Sequence, residues 1–109
     1  MEFRKVAAII RPGALEKVEK ALKTLSVPGV TVTKVKGYGE YANFYSSDWM
    51  LTHARVEVFV GQHRAEAVAR AIMDAAHTGM EGDGIVVVLP VESVYHIRTL
   101  ERCKHDVCD

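Results

Sequence analysis

The sequence predicts an α+β domain of the ferredoxin-like plait type, and three observations predict it. Two stretches show helical stripes, and each stands between segments of strand length. The pieces follow the order β-α-β-β-α-β, with a short extra strand at the end. The chain has 109 residues, 49% hydrophobic and 26% charged, which suits one core and leaves no length for a second domain. Residues 1–109 are therefore read as a single domain with a tail at 100–109. Two βαβ halves whose helices share one face of a mainly antiparallel sheet give this plait.

The first strand is expected at Phe3–Ile10, where Val6, Ala7, Ala8, Ile9 and Ile10 form a short apolar run. Arg11-Pro12-Gly13 ends it, because Pro12 cannot extend a ladder but presets the first turn of a helix. Leu15, Val18, Leu22 and Leu25 then recur at steps of three and four, one stripe of a helix. Glu16/Lys20 and Glu19/Lys23 stand on its other side in the favourable i,i+4 order. Pro28-Gly29 is a turn, and Val30–Thr33 alternates as a half-buried strand; the alternation slips at Lys34-Val35-Lys36, so the strand either bulges or becomes exposed there. Residues 37–52 show no clean period.

Ala54, Val56, Val58 and Val60 alternate with Arg55, Glu57 and Phe59, which predicts a strand with one apolar face. His63–His77 carries Ala65, Val68, Ile72 and Ala75/Ala76 on one side, a second amphipathic helix. Gly79 suits the left-handed position past its end. Ile85–Leu89 reads as a strand buried on both faces, and Val91–Arg98 as a weaker last strand.

Charge excludes some functions. Fourteen Lys+Arg balance fourteen Asp+Glu, so there is no net positive footprint for nucleic acid. No apolar run is long enough to span a bilayer, and the start of the chain lacks the pattern of a signal peptide. These features read as a cytoplasmic protein. A domain this small buries only about 60–68% of its chain surface alone, so self-association is expected.

Four places can carry chemistry. Thr78-Gly79-Met80-Glu81-Gly82-Asp83-Gly84 is either an amide nest for phosphate oxygens or a helix cap followed by a tight turn. It is not a Walker loop, since no Gly-Lys-Ser/Thr follows. His96 and Arg98, two apart, would point to one side of a strand and suit an anion; a solvated strand edge is the other reading. The aperiodic segment holds Tyr38, Tyr41, Phe44, Tyr45 and Trp49, either a partner-binding loop or a cover for the sheet or a neighbouring subunit.

The fourth place is the tail. Cys103 and Cys108 can close a small disulfide loop that is reversible and regulatory, or remain reduced thiols without a role. Zinc is the weaker option, because Cys103, His105 and Cys108 supply only three good ligands; no metal site is assigned. Enzyme readings lack a constellation. Glu57, Asp83 and Glu92 fall in separate elements, and His53, His63 and His77 read as surface or cap residues.

The separate features line up with one family. Ala8-Ile9-Ile10-Arg11-Pro12, Gly29 through Gly39, Thr78 through Gly84, Leu89 through Val94 and Ile97-Arg98-Thr99 together resemble the PII signal-transduction proteins, from Val6 to Glu101. The resemblance implies a homotrimer that binds adenine nucleotides in the clefts between subunits. A loop between the second and third strands would report nucleotide state to a target protein. By position, Ile9, Gly37, Tyr38, Gly39 and Phe59 would surround the adenosine, with Glu57 near the ribose. Gly82, Asp83 and Gly84 would cradle phosphate. Gly29, Val30, Thr31 and Arg98 would come from the adjacent subunit, with His96 beside Arg98.

The departures from the family pattern point to a subgroup. Ile85 replaces the lysine after Gly-Asp-Gly, and His96 replaces the first of two arginines, so two permanent charges are missing from the phosphate end. Each such contact contributes about 1.5–3 kcal/mol, which should weaken triphosphate binding most. Tyr41 and His53 stand where the family's 2-oxoglutarate site needs a glutamine and a lysine, and the loop is shorter than usual. These changes resemble carbon-linked PII-like proteins of the bicarbonate-transport or carboxysome-associated type, some of which end in two cysteines spaced as here. The expectation is a regulatory protein, not an enzyme, that needs no cofactor. It would favour AMP or ADP over ATP, with cyclic AMP and bicarbonate as further ligands, and act on a membrane bicarbonate transporter or carbon-metabolism enzyme without inserting in the membrane. The competing expectations are a nitrogen-regulatory PII that answers to ATP and 2-oxoglutarate, and a redox or metal module built on Cys103 and Cys108.

Overall fold

A computed structural model of the chain describes residues 1–37 and 51–105. Four strands form one antiparallel sheet: β1 (Phe3–Ile10), β2 (Thr31–Gly37), β3 (Leu51–Gly61) and β4 (Gly84–Val91), in the order β2-β3-β1-β4. Helices α1 (Leu15–Thr24) and α2 (Gln62–Ala76) supply the two crossovers. Each joins strands that are separated in the sheet by one other strand, so the two βαβ units interleave, as the element order predicts.

One face of this sheet is the core. Val6 pairs with Val58, Ala8 with Val56 and Ile10 with Ala54. Cross-strand partners share a face, so alternation puts all six side chains on the helix side. Val18 and Leu22 of α1 and Val68 and Ile72 of α2 close over them, all four fully buried. Burial contributes roughly 1.5–3 kcal/mol for each large apolar side chain. The first helix enters through a short 3-10 turn at Pro12–Ala14, with the proline in the place that needs no amide donor. Glu16 and Lys20 do pair, at 3.6 Å.

Several expectations need correction. Of the two readings of the slip at Lys34–Lys36, a bulge or exposure, exposure holds: Lys34 and Lys36 are exposed, and β2 runs to Gly37 with its pairing to β3 from Thr31↔Glu57 to Gly37↔Leu51 uninterrupted. β4 is not buried on both faces. Ile85, Val87, Val88 and Leu89 are 37–46% exposed, since β4 is an edge strand and, among the described residues, no helix covers the sheet's second face. An apolar run signals a strand but not what covers it. The last strand is only β5 (Tyr95–His96), which pairs with β6 (Glu101–Arg102) in a separate two-stranded hairpin. Arg98 therefore lies in the connecting turn and not on a strand beside His96. That turn carries Leu100 in the left-handed region, at φ 59°.

Candidate functional site

The Gly-rich turn is held together by one carboxylate. Asp83 accepts hydrogen bonds from the Thr78 amide at 2.8 Å, the Gly79 amide at 2.9 Å and the Thr78 hydroxyl. These amides lie just past the end of α2, where helical partners run out. Arg11, one residue beyond β1, donates to the Glu81 carbonyl and stands 3.5 Å from Asp83 through Nε. Burial pushes the Asp83 carboxyl up, but the Thr78 hydroxyl, the two amides and Arg11 outweigh it and hold the pKa down at about 2. Asp83 thus stays ionised across the ordinary pH range.

Backbone geometry explains the glycines here. Gly82 and Gly84 have φ of 92° and 110°, a region that L side chains rarely adopt. A Cβ on Gly84 would lie 1.9 Å from the Ile9 carbonyl oxygen. The turn is therefore compatible only with glycine at 84. Among the described residues, nothing accepts a hydrogen bond from the amides of Glu81, Gly82 or Asp83. Residues 78–80 are tied internally, as a helix cap requires, and Gly82 is buried. A hollow of about 210 Å³ opens beside them, lined by Ile10, Met73, His77, Asp83, Gly84 and Ile85, among others.

A second hollow, of about 540 Å³, lies between the start of β2 and the β5–β6 hairpin. Its walls are Pro28, Gly29, Val30, Thr31, Glu57, Phe59, Val94, Tyr95, His96, Ile97 and Arg98. Thr31 is the register partner of Glu57, which explains why both face it. Glu57 is paired with Lys5, and with Arg55 at 3.1 Å. The hydrogen bond from Lys5 lowers its pKa, against the opposing effect of burial, and the positive charges of Lys5 and Arg55 add to the lowering. His96 lines this hollow, but its Nδ1 is buried with no partner.

The structure brings Gly29, Val30, Thr31, Glu57, Phe59, His96 and Arg98 to one wall, and Asp83 and Gly84 to another. The two hollows share no residue. Glu57 and Phe59, expected beside Ile9, Gly37 and the adenosine, line the same hollow as Gly29, Val30, Thr31 and Arg98, where strand alternation and the β2–β3 register put them. Ile9 sits on the same uncovered face but against Ile85. Tyr38, Gly39, Tyr41, Phe44, Tyr45, Trp49 and Cys108 lie outside the described residues. Cys103 is buried and disulfide-bonded. His53 is a further correction: it is 2% exposed and not a surface residue, since it lies within β3 where that strand pairs with β2. Among the described residues, no cluster of His, Cys, Asp or Glu could hold a metal, and no helix is long and apolar enough to cross a membrane.

Arg11 and Lys5 were not visible as site residues in the sequence. Arg11 reads there only as the end of a strand, and its contact to Asp83 spans 72 residues. Alternation puts Lys5 on the same face as Glu57, but only the β1–β3 register shows that they meet.

The family model "Nitrogen regulatory protein P-II" matches residues 3–101. The nitrogen regulatory protein P-II of Rhizobium meliloti is 41% identical, across 91% of this chain and 95% of its own length. The P-II homolog of Arabidopsis thaliana is 36% identical across 93% of this chain, which spans 56% of that longer relative. The fold superposes on the crystal structure of Arabidopsis thaliana PII bound to citrate with a TM-score of 0.83 and 34% identity, covering 98% of this chain and 92% of that one. These matches set the chain among regulatory signalling proteins rather than enzymes. The chain belongs to the PII family of regulatory signalling proteins.

Proposed function

We propose that this PII-family protein binds adenine nucleotides between subunits of a homotrimer and passes the nucleotide state to a partner protein. The observation that carries the reading is the separation of the two half-sites. One hollow is lined by Gly29, Thr31, Glu57, His96 and Arg98, the other by Asp83 and Gly84 of the glycine turn, and the two share no residue. A nucleotide that spans both needs two copies, with adenosine and phosphate recognised from opposite sides. The uncovered sheet face, with Phe59, Val87 and Leu89 near half exposed, supplies apolar surface for such an assembly.

AMP or ADP is the favoured ligand, because permanent positive charge is sparse. Ile85 stands beside the glycine turn, and among the residues lining the two hollows Arg98 is the one fixed cation. Each missing charge-assisted contact weakens binding by about 1.5–3 kcal/mol, and a triphosphate loses most. Cyclic AMP and bicarbonate are further candidate ligands, and the loop with Tyr41, Phe44, Tyr45 and Trp49 is the candidate contact to a bicarbonate transporter or carbon-metabolism enzyme. A second reading, nitrogen regulation through ATP and 2-oxoglutarate, is supported by the relatives, which are nitrogen regulatory proteins. Calorimetric titration with AMP, ADP, ATP and cyclic AMP, each with and without bicarbonate or 2-oxoglutarate, separates them. Preference for AMP or ADP supports carbon regulation. Tight ATP binding that requires 2-oxoglutarate establishes the nitrogen reading instead.

A further inference from the structure

A carboxylate inside an anion-binding turn is a contradiction that the fold must resolve. Asp83 is ionised and lies within two residues of the Glu81 and Gly82 amides, from which no described residue accepts a hydrogen bond, so alone it would repel an incoming phosphate. Arg11 meets it from the end of β1, with Nε 3.5 Å from the carboxylate while the other arm of the same guanidinium donates to the Glu81 carbonyl. No Lys or other Arg contacts this turn among the described residues; His77 comes within 3.9 Å of Asp83. The planar fork of arginine suits two acceptors at once, where an ammonium offers only a point charge.

The Glu81 carbonyl has a second consequence. In a planar trans peptide the carbonyl and the next amide point in opposite directions. Holding the Glu81 oxygen on Arg11 therefore aims the Gly82 N–H away from the guanidinium. At φ 92°, only a glycine backbone adopts that orientation readily.

We infer that Arg11 is a positioning residue for phosphate binding: it neutralises Asp83 and sets the direction of the Gly82 amide without needing to touch the ligand. This rests on the reading of residues 81–84 as the phosphate end of a nucleotide site. The test compares adenosine and ADP binding to the assembled protein, wild type against Arg11→Ala, by calorimetry. Losing a charge-assisted pair should weaken ADP about tenfold while adenosine affinity holds. The Gly82 amide resonance, which should move on ADP addition in the wild type, should no longer do so in the variant. A role in stability alone would lower the melting temperature and leave the ADP-to-adenosine ratio and the Gly82 response unchanged, which overturns the inference. If Arg11→Ala does not fold, Arg11→Gln keeps a donor for Glu81 but removes the charge; an unchanged ratio there overturns it equally. Wild-type protein that binds no ADP would instead refute the site reading itself.

Discussion

The two faces of the four-stranded sheet are made by the same strands, yet they carry different tasks. On the helix side, Val6, Val56, Val58 and Val60 are buried to 1% exposure or less, within the cluster that the two helices close over. On the other side, Phe59, Val87 and Leu89 stay between 42% and 49% exposed, interspersed with Lys5, Arg55 and Glu57. Both sets alternate within the same strands. What separates them is that two helices cover one face and, among the described residues, none covers the other. The first face stabilises the subunit; the second presents apolar side chains outward.

Substitutions on each side can break or sharpen this contrast. The largest effect is expected at Gly84, where the turn meets β1: Gly84→Ala forces a Cβ into the Ile9 carbonyl at positive φ and should cost about 4 kcal/mol or more, read by urea denaturation. A modest loss would show that the turn can move aside. On the covered face, Ile72→Ala should cost about 2–5 kcal/mol. Leu89→Ala on the open face should cost less than about 1 kcal/mol in dilute protein, with a larger loss appearing only at concentrations where copies assemble. Equal costs in dilute protein would erase the distinction between the faces.

Smaller effects belong to the two half-sites. Arg98 is exposed, so Arg98→Ala should leave folding unchanged and weaken nucleotide binding by about 1.5–3 kcal/mol; unchanged affinity would remove the hairpin from the site. Asp83 has a folded pKa of about 2 against 3.8, so its contribution to stability is present above pH 3.8 and is lost as pH falls towards 2. It amounts to about 1–2 kcal/mol. Glu57, also lowered, adds a loss over the acid range below 4.5. Acid titration of Asp83→Asn should show a shallower loss than wild type; identical curves would mean that Asp83 is not what holds the turn.

Local pattern was enough to identify both helices, the apolar face of β3 and the glycine turn, because helix and strand periods are properties of neighbouring residues. The matching stretches from Val6 to Glu101 likewise made the family legible before any coordinates. Local pattern misjudged β4 and His53 for a shared reason. An apolar run and a polar side chain each state a preference, whereas burial depends on what packs above them. The half-site partners were also out of reach: Arg11 meets Asp83 across 72 positions, and Glu57 joins Thr31 through a strand register. Sequence alone determined the elements, their order and the family, since these depend on spacing along the chain. Only the tertiary structure decided which sheet face is bare, which wall Glu57 and Phe59 belong to, and that Arg11 holds the turn. Those follow from pairing and packing between segments far apart in the chain.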